Sequence, residues 1–294
     1  MKITSNRSKA YRIFSLIVLI LLAVAFTFPL YWIVTGALKT GQDIYAQTPH
    51  LWPTEWTMAN FEKLFSRRSA PLFEIGALVG PTVPGVIRWL VNTVFMAVMA
   101  MLLTCITAAM AGYALAKKRF VGRTLLFSLI VCAMALPKQV ILIPLLREMS
   151  ALHLWDTLWA VIFPTVGWPF GVFLMKQFAE GIPGEILEAA RVDGAGEVRT
   201  FATIVLPMVK PGIGALAIFT FINSWNDYFM QLVMLASNAN FTISLGISTM
   251  QAETSVDLGL LMSGAALAAV PIIIVFLIFQ KYFTQGITMG AVKG

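Results

Sequence analysis

Charged side chains of both signs are concentrated in residues 188–207, which lie between two long apolar segments. They are Glu188, Arg191, Asp193, Glu197 and Arg199. Two helix-forming runs flank a break at Gly194 and Ala195, and this pattern predicts a small structured element at a membrane surface. A plain connector between two membrane helices would need only a few polar residues. We therefore expect this segment to bind a cytoplasmic partner.

The sequence has no set of residues spaced for catalysis or metal binding. His50 and His153 lie far apart in the sequence, and we expect both to be surface residues. No HExxH, CxxC or GxSxG pattern occurs. No GxxxxGKS or GxxxxGKT pattern occurs either, so the chain is predicted to form no P-loop and not to hydrolyse ATP itself. Cys105 and Cys132 lie in apolar segments, and we expect two small buried side chains rather than a disulfide.

The composition indicates a membrane protein. Of the 294 residues, 59% are hydrophobic and only 12% are charged, whereas a soluble globular chain carries about 25% charged residues. Lipid is therefore the expected solvent for much of the chain. The first apolar run is too long for a cleavable signal peptide. We attribute the net charge of +7 to membrane sidedness and not to nucleic-acid binding.

Six apolar segments are long enough to cross a bilayer, which takes about 20 residues. They are residues 13–38, 89–116, 124–143, 157–175, 209–229 and 258–280. An N-terminus in the cytoplasm puts two thirds of the 21 lysines and arginines on the cytoplasmic side, as the positive-inside rule favours. Both chain ends and residues 188–207 are then cytoplasmic. Residues 39–88 form the largest loop on the outer side.

Charged residues inside these spans are few. Lys138 and Asp227 are the candidates, and both lie near predicted outer helix ends, where a charge can reach the interface. Ion-coupled carriers usually hold carboxylates near the bilayer midplane, and the sequence offers no clear one. If the protein drives active transport, we expect the energy to come from another subunit.

The polar segment has local signals for two short helices. Pro183 suits a helix start, where its missing N–H costs little. Glu185 and Glu188 fall in the early turns, where negative charge suits the helix dipole. Gly194 can adopt the left-handed conformation that ends a helix, and a second helix is predicted from about Glu197. Helices this short need a surface to pack against.

The same segment resembles a known motif. Glu188-Ala189-Ala190, three residues, Asp193-Gly194-Ala195, then Ile204 and Leu206-Pro207 is similar to the EAA loop of binding-protein-dependent ABC importer permeases. The resemblance implies an all-α membrane protein with six transmembrane helices, a type I ABC importer permease core and a cytoplasmic coupling helix that docks into a cleft on an ATPase subunit. The residues implied to make or shape that contact are Glu188, Ala189, Ala190, Asp193, Gly194 and Ala195.

Two further stretches resemble carbohydrate permeases in particular. Residues 223–228 resemble their WND segment, and residues 281–294 resemble the tail of the MalG-type sugar permease subunit. Candidate pathway residues are Asn223, Trp225, Asn226 and Asp227; the loop implied to face the solute-binding protein contains Asn238, Ala239 and Asn240; and the tail implied to contact the ATPases contains Gly290, Ala291, Val292, Lys293 and Gly294. Alternatively, the polar residues at 223–227 cap or pack a helix end, and the tail is a flexible terminus.

The resemblance implies a permease subunit of an ATP-driven importer for sugars, with oligosaccharides favoured, in the bacterial inner membrane. Its implied partners are a second related permease, two ATPase subunits that bind the ATP and magnesium, an external solute-binding protein, the sugar and membrane lipid. It divides the chain into a cytoplasmic N-terminus (1–12), a permease domain (13–282) with a coupling loop (180–207), and a cytoplasmic tail (283–294). The alternatives are an ion-coupled carrier or channel acting alone, and an ABC permease for another solute such as a phosphorylated polyol.

The sequence leaves the particular sugar open, and also whether this subunit or its partner permease holds it. Aromatic residues that could stack on a sugar ring, or mark a membrane interface, are Trp155, Trp159, Trp168, Phe170 and Trp225.

Overall fold

A computed structural model describes residues 5–75, 77–252 and 257–291. The described residues are mostly helical. The helices are α1 (Ser5–Ala37), α2 (Gly41–Ile44), α3 (Ala59–Ser66), α4 (Gly85–Lys117), α5 (Arg123–Ala133), α6 (Lys138–Ala151), α7 (Leu158–Val166), α8 (Pro169–Glu180), α9 (Gly184–Val192), α10 (Glu197–Thr200), α11 (Leu206–Met208), α12 (Lys210–Asn226), α13 (Tyr228–Met234), α14 (Ile243–Ala252) and α15 (Leu258–Ala291). A π-helical turn (Phe201–Val205) joins α10 to α11, and a 3-10 turn (Asn238–Asn240) follows α13.

Three helices are long and apolar enough to cross a membrane without a break: Tyr11–Ala37 in α1, the whole of α4, and Leu258–Gln280 in α15. Three bent helix pairs also qualify, so the described residues contain three spans, or up to six if each bent pair is one span. Each of the six predicted segments overlaps one of these helices or pairs, although the third pair begins at Glu197, well before the predicted start at residue 209.

Prolines in the third and fourth apolar segments, Pro137, Pro144, Pro164 and Pro169, predict bends there, and the structure bends both of these pairs and a third. The angle is 105° between α5 and α6, 41° between α7 and α8, and 77° between Glu197–Met208 and α12. Pro137 precedes α6, and Pro169 is at the start of α8. Proline disfavours helical conformation in the residue before it, which accounts for a break at each of these points.

The chain divides into two compact units, Met1–Ser69 with Ile247–Ala269 and Ala70–Gly246 with Val270–Gly294. In the first unit, the side-chain amide of the buried Asn60 in α3 bonds to the chain at the end of α1. Its Nδ2 donates to the carbonyl oxygens of Ala37 at 3.0 Å and Lys39 at 2.8 Å. The hydroxyl of Ser263 in α15, which lies 2.9 Å from the Leu260 carbonyl oxygen, is also 3.4 Å from the Asn60 carbonyl oxygen. Hydrogen bonds from the Asn60 side chain to backbone carbonyl oxygens therefore join α3 to the end of α1.

The predicted outer loop, residues 39–88, contains more structure than a plain loop. It holds α2, α3 and four short strands: β1 (Ser69–Pro71), β2 (Glu74–Ile75), β3 (Leu78–Val79) and β4 (Thr82–Pro84). Strand β1 pairs with β4, and β2 pairs antiparallel with β3. These strands are a small addition to the predicted all-α fold.

In the second unit α4 packs closely against α8 and α12. A Cβ added at Gly112 of α4 would lie 2.6 Å from the backbone nitrogen of Lys176, and one added at Gly212 of α12 would lie 2.5 Å from the ring of Phe178. Only glycine permits such close approach. The core formed here includes Tyr113, Met175, Ala179, Leu187, Val205 and Leu216.

The two cysteines differ in environment. Both are free thiols, as predicted, and Cys105 is buried in α4. Cys132 of α5 is exposed, so the prediction that it is buried is wrong. The apolar residues around Cys132 in α5 are not buried either, because α5 has no buried residue.

Candidate functional site

The predicted coupling helix is α9, residues Gly184–Val192, and it begins directly after Pro183. Gly194 has a φ of +76°. Its N–H donates to the Arg191 carbonyl oxygen at 3.0 Å, and the N–H of Ala195 donates to the Ala190 carbonyl oxygen at 2.9 Å. These two bonds make a Schellman motif, which satisfies the last helical carbonyls and requires the left-handed residue. The predicted helix, its start and its glycine termination are all confirmed.

This helix has one face inside the chain and one face outside. Leu187 and Ala190 are buried, while Glu188, Ala189 and Asp193 are exposed. Of the residues implied to meet an ATPase, Ala190 can therefore only shape the helix from within. Gly194 is exposed and Ala195 is half-buried.

Two exposed valines flank the turn. Val192 is 88% exposed and Val198 is 82% exposed. The residue types predict that Ile186, Leu187, Ala189, Ala190 and Val192 form one apolar packing side, but the structure buries only Leu187 and Ala190 and exposes the other three. The sequence signal for both valines is the apolar side chain next to the glycine break. Exposed apolar groups beside charged ones are typical of a surface that a partner covers.

Three side chains tie this segment to the end of α4. Lys117 Nζ donates to the carbonyl oxygen of Glu180 at 3.1 Å and to that of Ile182 at 2.6 Å. Lys118 forms an ion pair with Glu197. Burial is the largest single influence and would by itself lower the pKa of Lys118, but the hydrogen bonds and electrostatic attraction of Glu197 and Tyr113 together outweigh it and raise the pKa. The Glu197 carboxylate thus helps to stabilise the positive charge of Lys118.

At the other end of α4, side chains hold the turn Asn238–Asn240. Trp89 Nε1 donates to the Asn238 carbonyl oxygen at 3.0 Å. Arg88 Nε and Asn92 Nδ2 both donate to the Ala239 carbonyl oxygen, at 2.9 and 2.8 Å. The backbone carbonyls of Asn238 and Ala239, in the loop predicted to face a solute-binding protein, are therefore directed into this chain.

Asp156 supports the same turn from the loop between α6 and α7. Its Oδ1 accepts the backbone N–H groups of Ala236 at 2.7 Å and Ser237 at 2.9 Å, and its carbonyl oxygen accepts from Asn240 Nδ2 at 2.5 Å. Burial is the largest single influence and would by itself raise the pKa of Asp156, but the N–H groups of Ser237 and Ala236 and the side chains of Ser237 and Asn240 together outweigh it, so that the pKa lies below its ordinary value. Asn238, Ala239 and Asn240 are each half-buried.

The candidate pathway residues fall into two kinds. Trp225 is buried at 1% exposure and packs against the ring of Phe221, which favours a role in the core over stacking on a sugar. Asn223 and Asn226 are exposed, and each donates to the carbonyl oxygen four residues earlier in α12. Asp227 caps α13 by accepting the N–H of Met230 at 3.4 Å.

The structure adds a partner for Asp227 that sequence spacing does not reveal. Lys138 Nζ lies 3.2 Å from Asp227 Oδ2 and 4.8 Å from the ring centroid of Trp168. Each of these residues lies where one helix ends and another begins. The two charged residues that we singled out inside the spans thus form one pair.

Two further predictions concern the chain end and metals. Gly290 and Ala291 are the last residues of α15, and Val292, Lys293 and Gly294 lie outside the described residues. Within 5–75, 77–252 and 257–291 there is no group of three or more His, Cys, Asp and Glu side chains that could hold a metal ion.

Comparisons with known proteins agree with this architecture. Residues 106–289 match a family model described as "Binding-protein-dependent transport system inner membrane component". The chain is 32% identical over 292 residues to the arabinooligosaccharides transport system permease protein AraQ of Bacillus subtilis (strain 168), covering 99% of each. It is 31% identical over 288 residues to the maltodextrin transport system permease protein MdxG of the same organism, covering 94% of each.

Among solved structures, the fold is similar to a chain of a bacterial ABC transporter involved in the import of the acidic polysaccharide alginate. The TM-score is 0.78 at 20% identity, and the match covers 96% of this chain and 100% of that chain.

Proposed function

Because the chain belongs to the family of binding-protein-dependent transport system inner membrane components, we propose that it is the permease subunit of an ATP-driven importer for oligosaccharides. The relatives AraQ and MdxG are named for arabinooligosaccharides and maltodextrin, which supports this substrate class. The chain lies in the inner membrane, and we place both chain ends in the cytoplasm on the positive-inside rule.

The observation that carries the proposal is the two-sided α9. Leu187 and Ala190 pack into the permease core, while Glu188, Val192 and Asp193 are free to face outward. The carboxylates of Glu188 and Asp193, with the exposed apolar side chain of Val192, suit a cleft on a partner that offers both polar and apolar contacts. We assign the ATPase subunit as the protein that provides this cleft.

In the complete importer this chain pairs with a second related permease, two ATPase subunits and an external solute-binding protein. The ATPases bind ATP and magnesium, and this chain holds no cofactor of its own and is not an enzyme. When the ATPases close, they displace α9, and the displacement reorients the membrane helices. ATP and the loaded binding protein shift the equilibrium only by their differential affinity for the two states. Each of them therefore has to bind one orientation more tightly than the other.

The test exploits two glycines on either side of Ala195. Gly194 has a φ of +76°, and a Cβ added there would meet nothing within 4 Å, so that any side chain is strained by backbone conformation alone. Gly196 is just as open but has an ordinary φ of −68°. Gly194→Ala should cost about 1–2 kcal/mol of left-handed strain and lower transport roughly fivefold or more. Gly196→Ala is the matched control and should transport normally.

Gly194→Pro should abolish transport, because proline fixes φ near −65° and removes the N–H that bonds to Arg191. Membrane insertion and expression should be unchanged in all three variants. The measurement is ATP-driven sugar uptake by the reconstituted importer. Full transport by Gly194→Pro would contradict the docking role. Uptake driven by an ion gradient with this chain alone in liposomes would favour the secondary carrier instead.

A further inference from the structure

Two consecutive lysines at the end of α4 hold both flanks of α9. Lys117, the last residue of α4, donates to carbonyl oxygens of Glu180 and Ile182, which precede α9. Lys118, the next residue, pairs with Glu197, which begins the helix after the Gly194 turn. The segment before α9 and the segment after it are therefore both bonded to the C-terminal end of α4.

Close packing reinforces this attachment. Gly112, one turn before the end of α4, lies against the backbone of α8, where an added Cβ would be 2.6 Å from Lys176 N. Tyr113 is buried, its ring lies 5.7 Å from that of Phe201, and its hydroxyl lies 3.5 Å from Glu197 Oε2. If α9 moves, the end of α4 has to move with it, or these contacts break.

The same helix reaches the opposite side of the membrane without a break. Helix α4 has 33 residues, which corresponds to about 50 Å at 1.5 Å per residue. At its far end Arg88, Trp89 and Asn92 hold the turn Asn238–Asn240. The side chain of Thr93 also accepts the N–H of Ile243 at 2.8 Å.

We propose that Lys117, Lys118 and Glu197 form an inner clasp that transmits the displacement of α9 to α4, and through α4 to the outer turn Asn238–Asn240. The proposal rests on the proposed function, because it assumes that an ATPase displaces α9. Within the clasp, Lys118 and Glu197 are positioning residues. They set where α9 lies relative to α4 and do not themselves contact ATP or sugar.

The exposure of the ion pair makes the proposal testable without loss of fold. The side chain of Glu197 is 60% exposed and that of Lys118 is 28% exposed. Ion pairs this accessible to water contribute little to folding. Loss of the pair should therefore leave a folded subunit whose α9 is less firmly joined to α4.

The experiment uses the whole importer, reconstituted in liposomes with its ATPase subunits and binding protein. The variants are Glu197→Lys, Lys118→Glu and the double swap Lys118→Glu/Glu197→Lys. We expect each single variant to copurify with the ATPases as the unaltered protein does. Each should lower the amount of sugar transported per ATP hydrolysed by up to about fivefold, the upper end of what one exposed pair contributes. The double swap should restore most of it.

A matched control removes a similar ion pair that does not join α9 to α4. Glu180→Gln breaks the pair between Lys176 and Glu180 within α8 and keeps the Glu180 carbonyl that Lys117 binds. It should not change the transport ratio.

The outcomes separate the two proposals. If the unaltered chain does not assemble with ATPases, or if Gly194→Pro transports normally, the proposed function and the clasp both fail. If those tests succeed but Glu197→Lys transports with an unchanged ratio, only the clasp is overturned. The clasp is also overturned if the single variants are impaired and the double swap restores nothing.

Discussion

The two surfaces predicted to meet partners are built in opposite ways. On α9 the backbone is satisfied within the helix and its glycine turn, and side chains such as Glu188 and Val192 point outward. At the turn Asn238–Asn240 the backbone carbonyls and the Asn240 amide are bonded inward by side chains from elsewhere in the chain. The first surface presents side chains, and the second presents a fixed backbone shape. A change at the first should alter binding, whereas a change at the second should alter structure.

The strongest test of this contrast is Trp89, which is fully buried and anchors the outer turn through Asn238. Trp89→Ala should destabilise the chain by roughly 3–5 kcal/mol, because it leaves a large cavity and removes the indole hydrogen bond to the Asn238 carbonyl oxygen. Denaturant unfolding in detergent measures this loss. Trp155, which is 48% exposed, is the control, and Trp155→Ala should change the stability by no more than about 0.5 kcal/mol. Equal losses in the two variants would remove the argument for a structural outer turn.

A smaller effect is expected at Asp156, which accepts two backbone N–H groups of the outer turn. Its pKa is lowered in the folded chain. Its stabilising contribution is therefore complete above its ordinary pKa of about 3.9 and is lost as the pH falls through the folded value. Asp156→Asn should cost about 1–3 kcal/mol at neutral pH. It should also reduce the loss of stability on acidification.

Asp193, on the exposed side of the α9 terminus, is the matched control for Asp156. It is exposed, and Asp193→Asn should change the stability by no more than about 0.5 kcal/mol. Acid unfolding curves of the two variants, recorded side by side, measure the difference. If the curves coincide, Asp156 does not hold the outer turn in the way that its contacts indicate.

The smallest effect on folding is expected at Val192 and Val198, which are 88% and 82% exposed. Val192→Ser and Val198→Ser should change the stability by no more than about 0.5 kcal/mol. If an ATPase covers these side chains, each variant should weaken its binding roughly fivefold through lost apolar burial. Leu187→Ala, on the buried side of α9, should instead destabilise the chain. Unchanged ATPase binding in both valine variants would place the contact elsewhere on α9.

Local signals predicted α9 and its glycine termination well because their structure is local. Pro183 starts α9, Gly194 ends it, and the hydrogen bonds of that termination join residues three to five apart. Apolar run lengths likewise located the membrane segments, since span length follows from bilayer thickness. The prolines that break the runs were visible, but the angle of 105° between α5 and α6 was not.

Composition and local pattern by themselves determined that the chain is a helical membrane protein with a charged, glycine-terminated helix between two spans, because these features depend on neighbouring residues and on solvent. Only the tertiary structure decided that Trp225 is buried, that Cys132 and Val192 face outward, and that Lys138 pairs with Asp227. It also decided that Lys117 and Lys118 hold the flanks of α9, since Lys118 and Glu197 meet across 79 residues of chain. Such pairings depend on how helices pack, and no periodicity along the chain specifies them.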